Sequence, residues 1–529
     1  MKRRGRHTRR NRGARATAAA RATEARSVRG EDAHAVADAA KPRQRGMLTV
    51  LRGSAVYIAA ATAQRLALFA LLPFFTRAMS PSEYGVLGVA LSINLFATML
   101  FTFGLEMPIM RSYFRLAAEP DEQRRAMATL GAFLLVAPAV SAIVLSGLDV
   151  ALGAPLIPAR YTTVALLDAA FTVAATIFPL ALLRAEDRLR DYLLVTSILA
   201  ITASALTALF VLRFRWAAMG WLGAIAIADG VTLVVAAFRL PWPRPRNLSR
   251  RHLASAIKLG LPLLPHVVSQ WALQFSDRVI LAVLVSSAAV GTYSLAINLC
   301  VPALVGIMAI GQAVSPSFGR ALLNAEARGR LAGTVRVQGV IIALMTGAVA
   351  LAGPVFVAVF VPRDYSAAGE LIPWIALGYG VWGLCSLPMN AVAVLAGRTT
   401  WFWPISLVAA GLKVAGLFLL VPSHGLISAA IMYPVSNAVL LLGVSILAAK
   451  TPRAHMDYEV GRIAASIVAA LLVVVPVTVL ASTSGSLGVA ARLIAVALLP
   501  VVLFLSPGFT KAERRAAVPT WLARPDVVR

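Results

Sequence analysis

The chain has 529 residues, 59% of them hydrophobic and only 14% charged, with a formal net charge of +27 and a mean hydropathy of +0.78. Soluble domains run nearer about 45–50% apolar and about 25% charged, so a water-soluble fold is excluded and a polytopic membrane protein is indicated. Its two cysteines, Cys300 and Cys385, lie in apolar runs, which excludes a disulfide scaffold or a cysteine metal site and leaves them as packing residues.

Residues 1–52 hold 15 Lys/Arg against four acids. Rich in Arg and Ala, with no apolar segment before Met47, this stretch is no secretory signal. It is expected to be a basic, disordered cytoplasmic tail touching anionic headgroups; a transit peptide or a start codon placed upstream of Met47 are the competing readings. Nucleic-acid binding is disfavoured, because no aromatic residues interleave the basic ones.

A helix needs about 20 apolar residues to cross ~30 Å of hydrocarbon. The sequence predicts fourteen such spans. The first six cover about 53–77, 84–104, 127–147, 160–183, 192–212 and 217–238. The next six cover about 256–285, 290–317, 336–361, 371–396, 402–421 and 425–448, and a last pair covers 463–481 and 489–505. Gly260, Pro262 and Pro265 in span seven and Pro302 in span eight predict bends, since proline removes a donor and crowds the preceding turn. The expected fold is all-α, with an N-terminal six-helix lobe at 53–245, a C-terminal six-helix lobe at 246–450, an extra helix pair at 451–505, and a basic cytoplasmic tail at 506–529.

Lys and Arg set the orientation. With the N-terminus in the cytoplasm, 41 fall on that side and six on the other, and the ratio is still 26 to six without the tail. Both termini are therefore expected in the cytoplasm, and most of the basic excess is a topology signal that needs no acidic partner.

The chain nearly repeats itself at an offset of about 206: Gly85 answers Gly291, Gly104 answers Gly311, Arg188 answers Arg398 and Gly220 answers Gly425. Six spans preserve orientation, so these are parallel repeats, which commonly rock about a central site. Span seven carries His266, Gln270, Gln274 and Arg278 at intervals of four, with Ser269 and Asp277 alongside. That spacing makes one polar stripe, which lipid cannot satisfy. Span one shows Ser54, Tyr57, Gln64 and Arg65 on a similar face. Two such stripes are expected to wall a hydrated cavity, the alternative being a buried polar helix contact.

Six ionisable groups fall within spans: Arg65, Asp168, Asp229, Asp277, Arg278 and Lys413. Each costs on the order of 2.5–3.5 kcal/mol at mid-membrane, so each needs a partner or a function. Mutual pairing is one outcome. The other casts Arg65, Arg278 and Lys413 as anion holders, since an arginine fork suits phosphate, and Asp168, Asp229 and Asp277 as ion-coupling candidates. No P-loop, H-E-x-x-H, C-x-x-C or G-x-S-x-G is present, so neither an ATP-driven pump nor an enzyme is expected, nor any cofactor or metal.

The segments LPFFTRAMSPSEYGVLGVALSI and FGLEMPIMRSYF, with KLGLPLLPHVVSQWALQFSDRVILAVLVSSAAVGTYSLAINL later, resemble bacterial polysaccharide-repeat flippases, the Wzx-type exporters. Their superfamily also holds MurJ-like lipid II flippases and MATE drug exporters. The resemblance covers about 50 to 450. It implies a two-lobed transporter in the bacterial inner membrane that moves undecaprenyl-pyrophosphate-linked sugar units toward the periplasm. Arg65, Arg278 and Lys413 would then hold the pyrophosphate, with Gln64, Gln270, Gln274 and His266 lining the cavity. Arg111 and Arg115 would lie at the cytoplasmic mouth, where anchoring the helix end is the competing role. Implied partners are the lipid-linked oligosaccharide, membrane lipids, a polysaccharide polymerase and other assembly proteins. Another exporter on the same scaffold, or a polymerase or ligase of the same pathway, are the alternatives.

Overall fold

A computed structural model describes residues 69–153, 156–240, 248–322, 325–397, 400–452, 454, 459–481, 485–510 and 513–514. Gln64, Arg65, their neighbours in span one, Arg398 and both terminal tails lie outside the described residues. Within them the chain is helical, with no strand.

Thirteen helices are long and apolar enough to cross a membrane, and the described part of span one adds the apolar α1, Phe69–Ala78. The first lobe continues with α2 (Pro81–Phe101), α3 (Glu106–Arg115) and α4 (Pro120–Leu152), then α5 (Ala159–Ala185), α6 (Leu189–Arg213) and α7 (Ala217–Arg239). An eleven-residue helix, α8 (Arg250–Gly260), leads into α9 (Leu264–Leu284), α10 (Ser287–Leu299), α11 (Val301–Ala321) and α12 (Ala325–Phe360). There follow α13 (Ala368–Leu395), α14 (Phe402–His424), α15 (Leu426–Ala449), α16 (Val460–Leu480) and α17 (Ser486–Leu505). The protein is a multi-pass membrane protein of about fourteen spans.

The breaks fall where the covalent chemistry requires. Leu261–Leu263, around Pro262, forms one tight turn that separates α8 from α9. A cap at Cys300, just before Pro302, separates α10 from α11. Span seven is thus shorter than 256–285 suggested: α8 is amphipathic and packs on α3 and α4 rather than continuing the span. His252 on α8 meets Glu122 on α4 at 2.8 Å. Helix α2 begins with a capping box, in which Ser80 accepts from the Glu83 amide and Glu83 accepts from the Ser80 amide.

In the first half α2, α5 and α7 pack together, with α4 on α5 and α6 on α7. In the second, α9 packs on α14 and α13 on α15, while α12 runs along α11 and α13; α16 and α17 lie against α12. Helix α2 joins the halves through α10 and α9. A Cβ on Gly85 would stand 1.7 Å from the Ser287 carbonyl oxygen, and one on Gly291 would stand 1.9 Å from the Pro81 carbonyl oxygen. Residues that answer one another across the repeat therefore touch reciprocally, as the two sides of an isologous contact do. At the other end of α2, Gly104 has φ +67° and a Cβ there would meet the Gly260 carbonyl at 2.3 Å. Only glycine fits both that conformation and that approach.

Candidate functional site

Helix α9 carries the densest set of polar groups at membrane depth, and the structure turns them in different directions. Asp277 is fully buried, and so is Lys413 of α14, whose Nζ lies 3.1 Å from Asp277 Oδ2. The ammonium also donates to the Leu273 carbonyl at 2.6 Å and stands 4.5 Å from the centre of the Tyr433 ring. Tyr293 Oη donates to Asp277 Oδ2 at 2.7 Å, and the Arg278 amide donates to Oδ1 at 3.0 Å. Both charges are thus paired and hydrogen-bonded, which is what burial of charge requires. Lys413, expected to hold an anion, is occupied with Asp277; Asp277, expected as an ion-coupling group, is occupied with Lys413.

Arg278 points elsewhere. It is 7% exposed, its Cζ lies 5.6 Å from the Phe275 ring centre, and its Nε has no hydrogen-bond partner. No carboxylate among the described residues pairs with it. Asp277 is the nearest acid in sequence, but its carboxylate is taken by Lys413 of α14 and Tyr293 of α10. Asp277 and Arg278 of α9 with Lys413 of α14 thus group two cations with one anion, and the surplus positive charge rests on Arg278.

The rest of the stripe faces mixed surroundings. Gln270 donates to Ser406 Oγ of α14 at 3.1 Å, Trp271 Nε1 donates to the Ser92 carbonyl of α2 at 3.0 Å, and the half-buried His266 has an unpartnered Nδ1. Gln274 is half-buried. Gln270 and Trp271 border α14 and α2, while the polar part of span one, the expected opposite wall, lies outside the described residues.

The acids of the first half form a separate group. Asp168 of α5 is 1% exposed; its Oδ2 accepts from Asn94 Nδ2 at 3.0 Å and its Oδ1 has no partner. Asp229 of α7, equally buried, accepts from the Thr172 hydroxyl. Neither pairs with Arg or Lys among the described residues. The helix widens into a π-type turn over Val173–Ile177 directly after Thr172, a deformation common at functional positions. Among the described residues Asp229 thus has no cationic partner, and neither acid contacts Arg278 or Lys413.

Arg111 and Arg115 are exposed on α3. Two buried arginines escaped the sequence reading. Arg336 of α12 is held by Glu459 and Glu513, and Arg492, counted with the loop charges, lies inside α17 and is 5% exposed. Both stand at the ends of the predicted apolar spans, at 336–361 and 489–505, where hydropathy cannot separate a loop charge from a buried one.

The sequence profile of the polysaccharide biosynthesis protein family matches residues 50–322, just over half of the chain. No curated protein matches the chain. Among solved structures it is similar to the lipid II flippase MurJ in an inward closed conformation, with a TM-score of 0.64 at 11% identity, covering 85% of this chain and 97% of that one. It is also similar to an inward-facing multidrug resistance MATE family transporter of the MOP superfamily, with a TM-score of 0.53 at 17% identity, covering 75% of this chain and 99% of that one. At such identities the likeness is one of fold.

Proposed function

The chain belongs to the polysaccharide biosynthesis protein family, and on that premise we propose that it is a flippase for undecaprenyl-pyrophosphate-linked oligosaccharide units in the bacterial inner membrane, with both termini in the cytoplasm. The observation that carries this reading is the buried Arg278 guanidinium, which has no carboxylate partner among the described residues while its neighbour Asp277 is held by Lys413. A guanidinium away from water is costly unless an anion meets it, and its planar fork binds phosphate oxygens in pairs. Lys413 serves this arrangement indirectly: by neutralising Asp277 it leaves the charge of Arg278 for the cargo. Arg65, on the symmetry-related span, is the proposed second contact. Gln274 and His266 supply hydrogen bonds to sugar hydroxyls, while the polyprenyl chain stays in lipid.

The membrane potential favours export. One charge crossing 100 mV is worth about 2.3 kcal/mol, so an anion of roughly two charges moving outward from a negative interior gains about 4–5 kcal/mol. Asp168 and Asp229 form the proposed coupling site for a proton or sodium ion, because they are buried acids without a cationic partner among the described residues. A ligand drives the change between inward and outward states only through different affinity for the two. Binding at Arg278 and at the acid pair would bias that equilibrium from opposite halves.

The test is surface glycan in cells carrying Arg278→Ala at normal protein levels. Loss of the glycan supports the reading. Unchanged glycan removes Arg278 from the site, and with it favours an exporter of uncharged or cationic molecules on this scaffold.

A further inference from the structure

The last helix pair borders a cavity. Between α12, α13 and α16 a cavity of 1170 Å³ opens, walled by Ala350 and Val357 of α12, Trp374 of α13, and Leu471 and Val475 of α16. This is larger than the about 300–1,000 Å³ of a drug-sized site. Its walls are apolar along most of their length, and α16 carries the exposed Leu472 and Val479 beside it. An apolar groove among exposed apolar side chains, in a membrane-spanning helix, faces lipid rather than water.

One end is different. Arg492 of α17 lines the cavity there, close to the turn 361–367. Its Nε donates to the Ala481 carbonyl at 3.1 Å and its Nη2 to the Thr478 carbonyl at 3.2 Å, while Nη1 has no partner. The two carbonyls belong to the C-terminal end of α16, whose partial negative charge offsets part of the guanidinium's, and no carboxylate among the described residues pairs with it. The remaining charges of the lining, Arg363 and Glu370, are exposed and opposite in sign. The site therefore carries about one net positive charge, at the end of a groove made for hydrocarbon.

The geometry points to a binding site for a bilayer glycerophospholipid, its phosphodiester on Arg492 and its acyl chains along the groove between α12 and α16. A phosphodiester bears a single negative charge, which matches the net charge of the site; a pyrophosphate bears more. A soluble anion would use Arg492 and leave the groove unfilled. By filling the space between α12 and the α16–α17 pair, the lipid holds the pair in place from the leaflet on the Arg492 side. This inference stands independently of the cargo assigned above, since it shares no residue with Arg278 or the acid pair.

The test is native mass spectrometry of the full chain, taken in mild detergent from vesicles of phosphatidylglycerol and phosphatidylcholine. The wild type should keep one phospholipid under collision energies that strip the others. Arg492→Gln should lower the retained fraction at least tenfold, with an unchanged elution profile. Val475→Trp, which narrows the groove at an exposed wall without touching the guanidinium, should lower it as well. Should Arg492→Gln not accumulate, the Val475→Trp result decides alone, and undiminished retention overturns the site. Equal retention by Arg492→Gln would overturn it. So would displacement of the lipid by inorganic phosphate, which would mark an anion site without a lipid. Preference for added polyprenyl pyrophosphate over phospholipid would overturn it too, and make the groove part of the cargo route.

Discussion

The buried pair between α9 and α14 gives the most quantitative prediction. Two unit charges 3.1 Å apart attract by about 5 kcal/mol at an effective dielectric of about 20. Burying both groups takes back several kcal/mol, so the intact pair adds little net stability; removing one partner costs about 3–5 kcal/mol because the other charge is stranded. Lys413→Met leaves Asp277 only the Tyr293 hydroxyl and the Arg278 amide. Asp277→Asn leaves the ammonium with the Leu273 carbonyl and the Tyr433 ring. Each single variant should therefore lose about 3–5 kcal/mol. The double variant, with no charge to strand, should recover more than half of that loss, a coupling of at least about 2 kcal/mol by double-mutant cycle. The assay is the fraction of protein remaining monodisperse in detergent after heating, compared as apparent midpoints. If the double variant falls by the sum of the singles, the pair does not compensate itself as described. The same double variant should still display surface glycan, because Arg278 keeps its charge.

Other outcomes follow from the geometry. Gly85→Ala and Gly291→Ala each place a methyl group into backbone of the opposite helix, and each should cost about 1–3 kcal/mol or more by overpacking, seen as a lower heating midpoint; an unchanged midpoint would mean α2 and α10 are not in backbone contact. Asp168→Asn and Asp229→Asn preserve shape and one acceptor oxygen, enough for the Asn94 and Thr172 bonds, so protein levels should hold while glycan export loses its response to proton or sodium gradients; a retained response would clear the acid pair of coupling. Arg336→Met should remove the charge that joins Glu459 to Glu513, leaving Glu459 to Arg462, and loosen the segment after α17 from α12, read as faster proteolysis beyond residue 505. At Glu513 burial works toward neutrality, but the Thr510 amide and hydroxyl together with Arg336 hold the carboxyl below its ordinary value of 4.5. Its contribution is complete above that value and is lost as the pH falls through the lowered one. The proteolytic difference between wild type and Arg336→Met should therefore shrink in acid below about pH 4.5, and a constant difference would contradict the clasp.

The helices were legible because lipid imposes one solution on the backbone, and long apolar runs have no other use. Their ends were not, since charge near a boundary reads the same whether exposed or buried. Arg336 and Arg492 show this: both pass for loop charges, and both are inside. The repeat pointed to Gly85 and Gly291 as equivalents, though only the packing shows that they touch each other. At the site, sequence supplied the stripe on span seven and the six charged groups. It could not say that Lys413, 136 residues away, takes Asp277 and leaves Arg278 alone. A count of three charges of each sign is equally consistent with complete pairing, and the described residues contain only one such pair. The groove beside α16 left no trace in hydropathy, because an apolar wall and a lipid-facing surface have the same composition.

The measurement closest to the central claim is transbilayer movement of a fluorescent polyprenyl-pyrophosphate oligosaccharide in vesicles holding the purified full-length chain. With Arg278→Gln the rate should fall at least a hundredfold, and with Arg278→Lys by an intermediate factor, as expected when a paired phosphate contact becomes a point charge. A rate for Arg278→Gln within twofold of the wild type would show that the lone guanidinium does not carry the pyrophosphate.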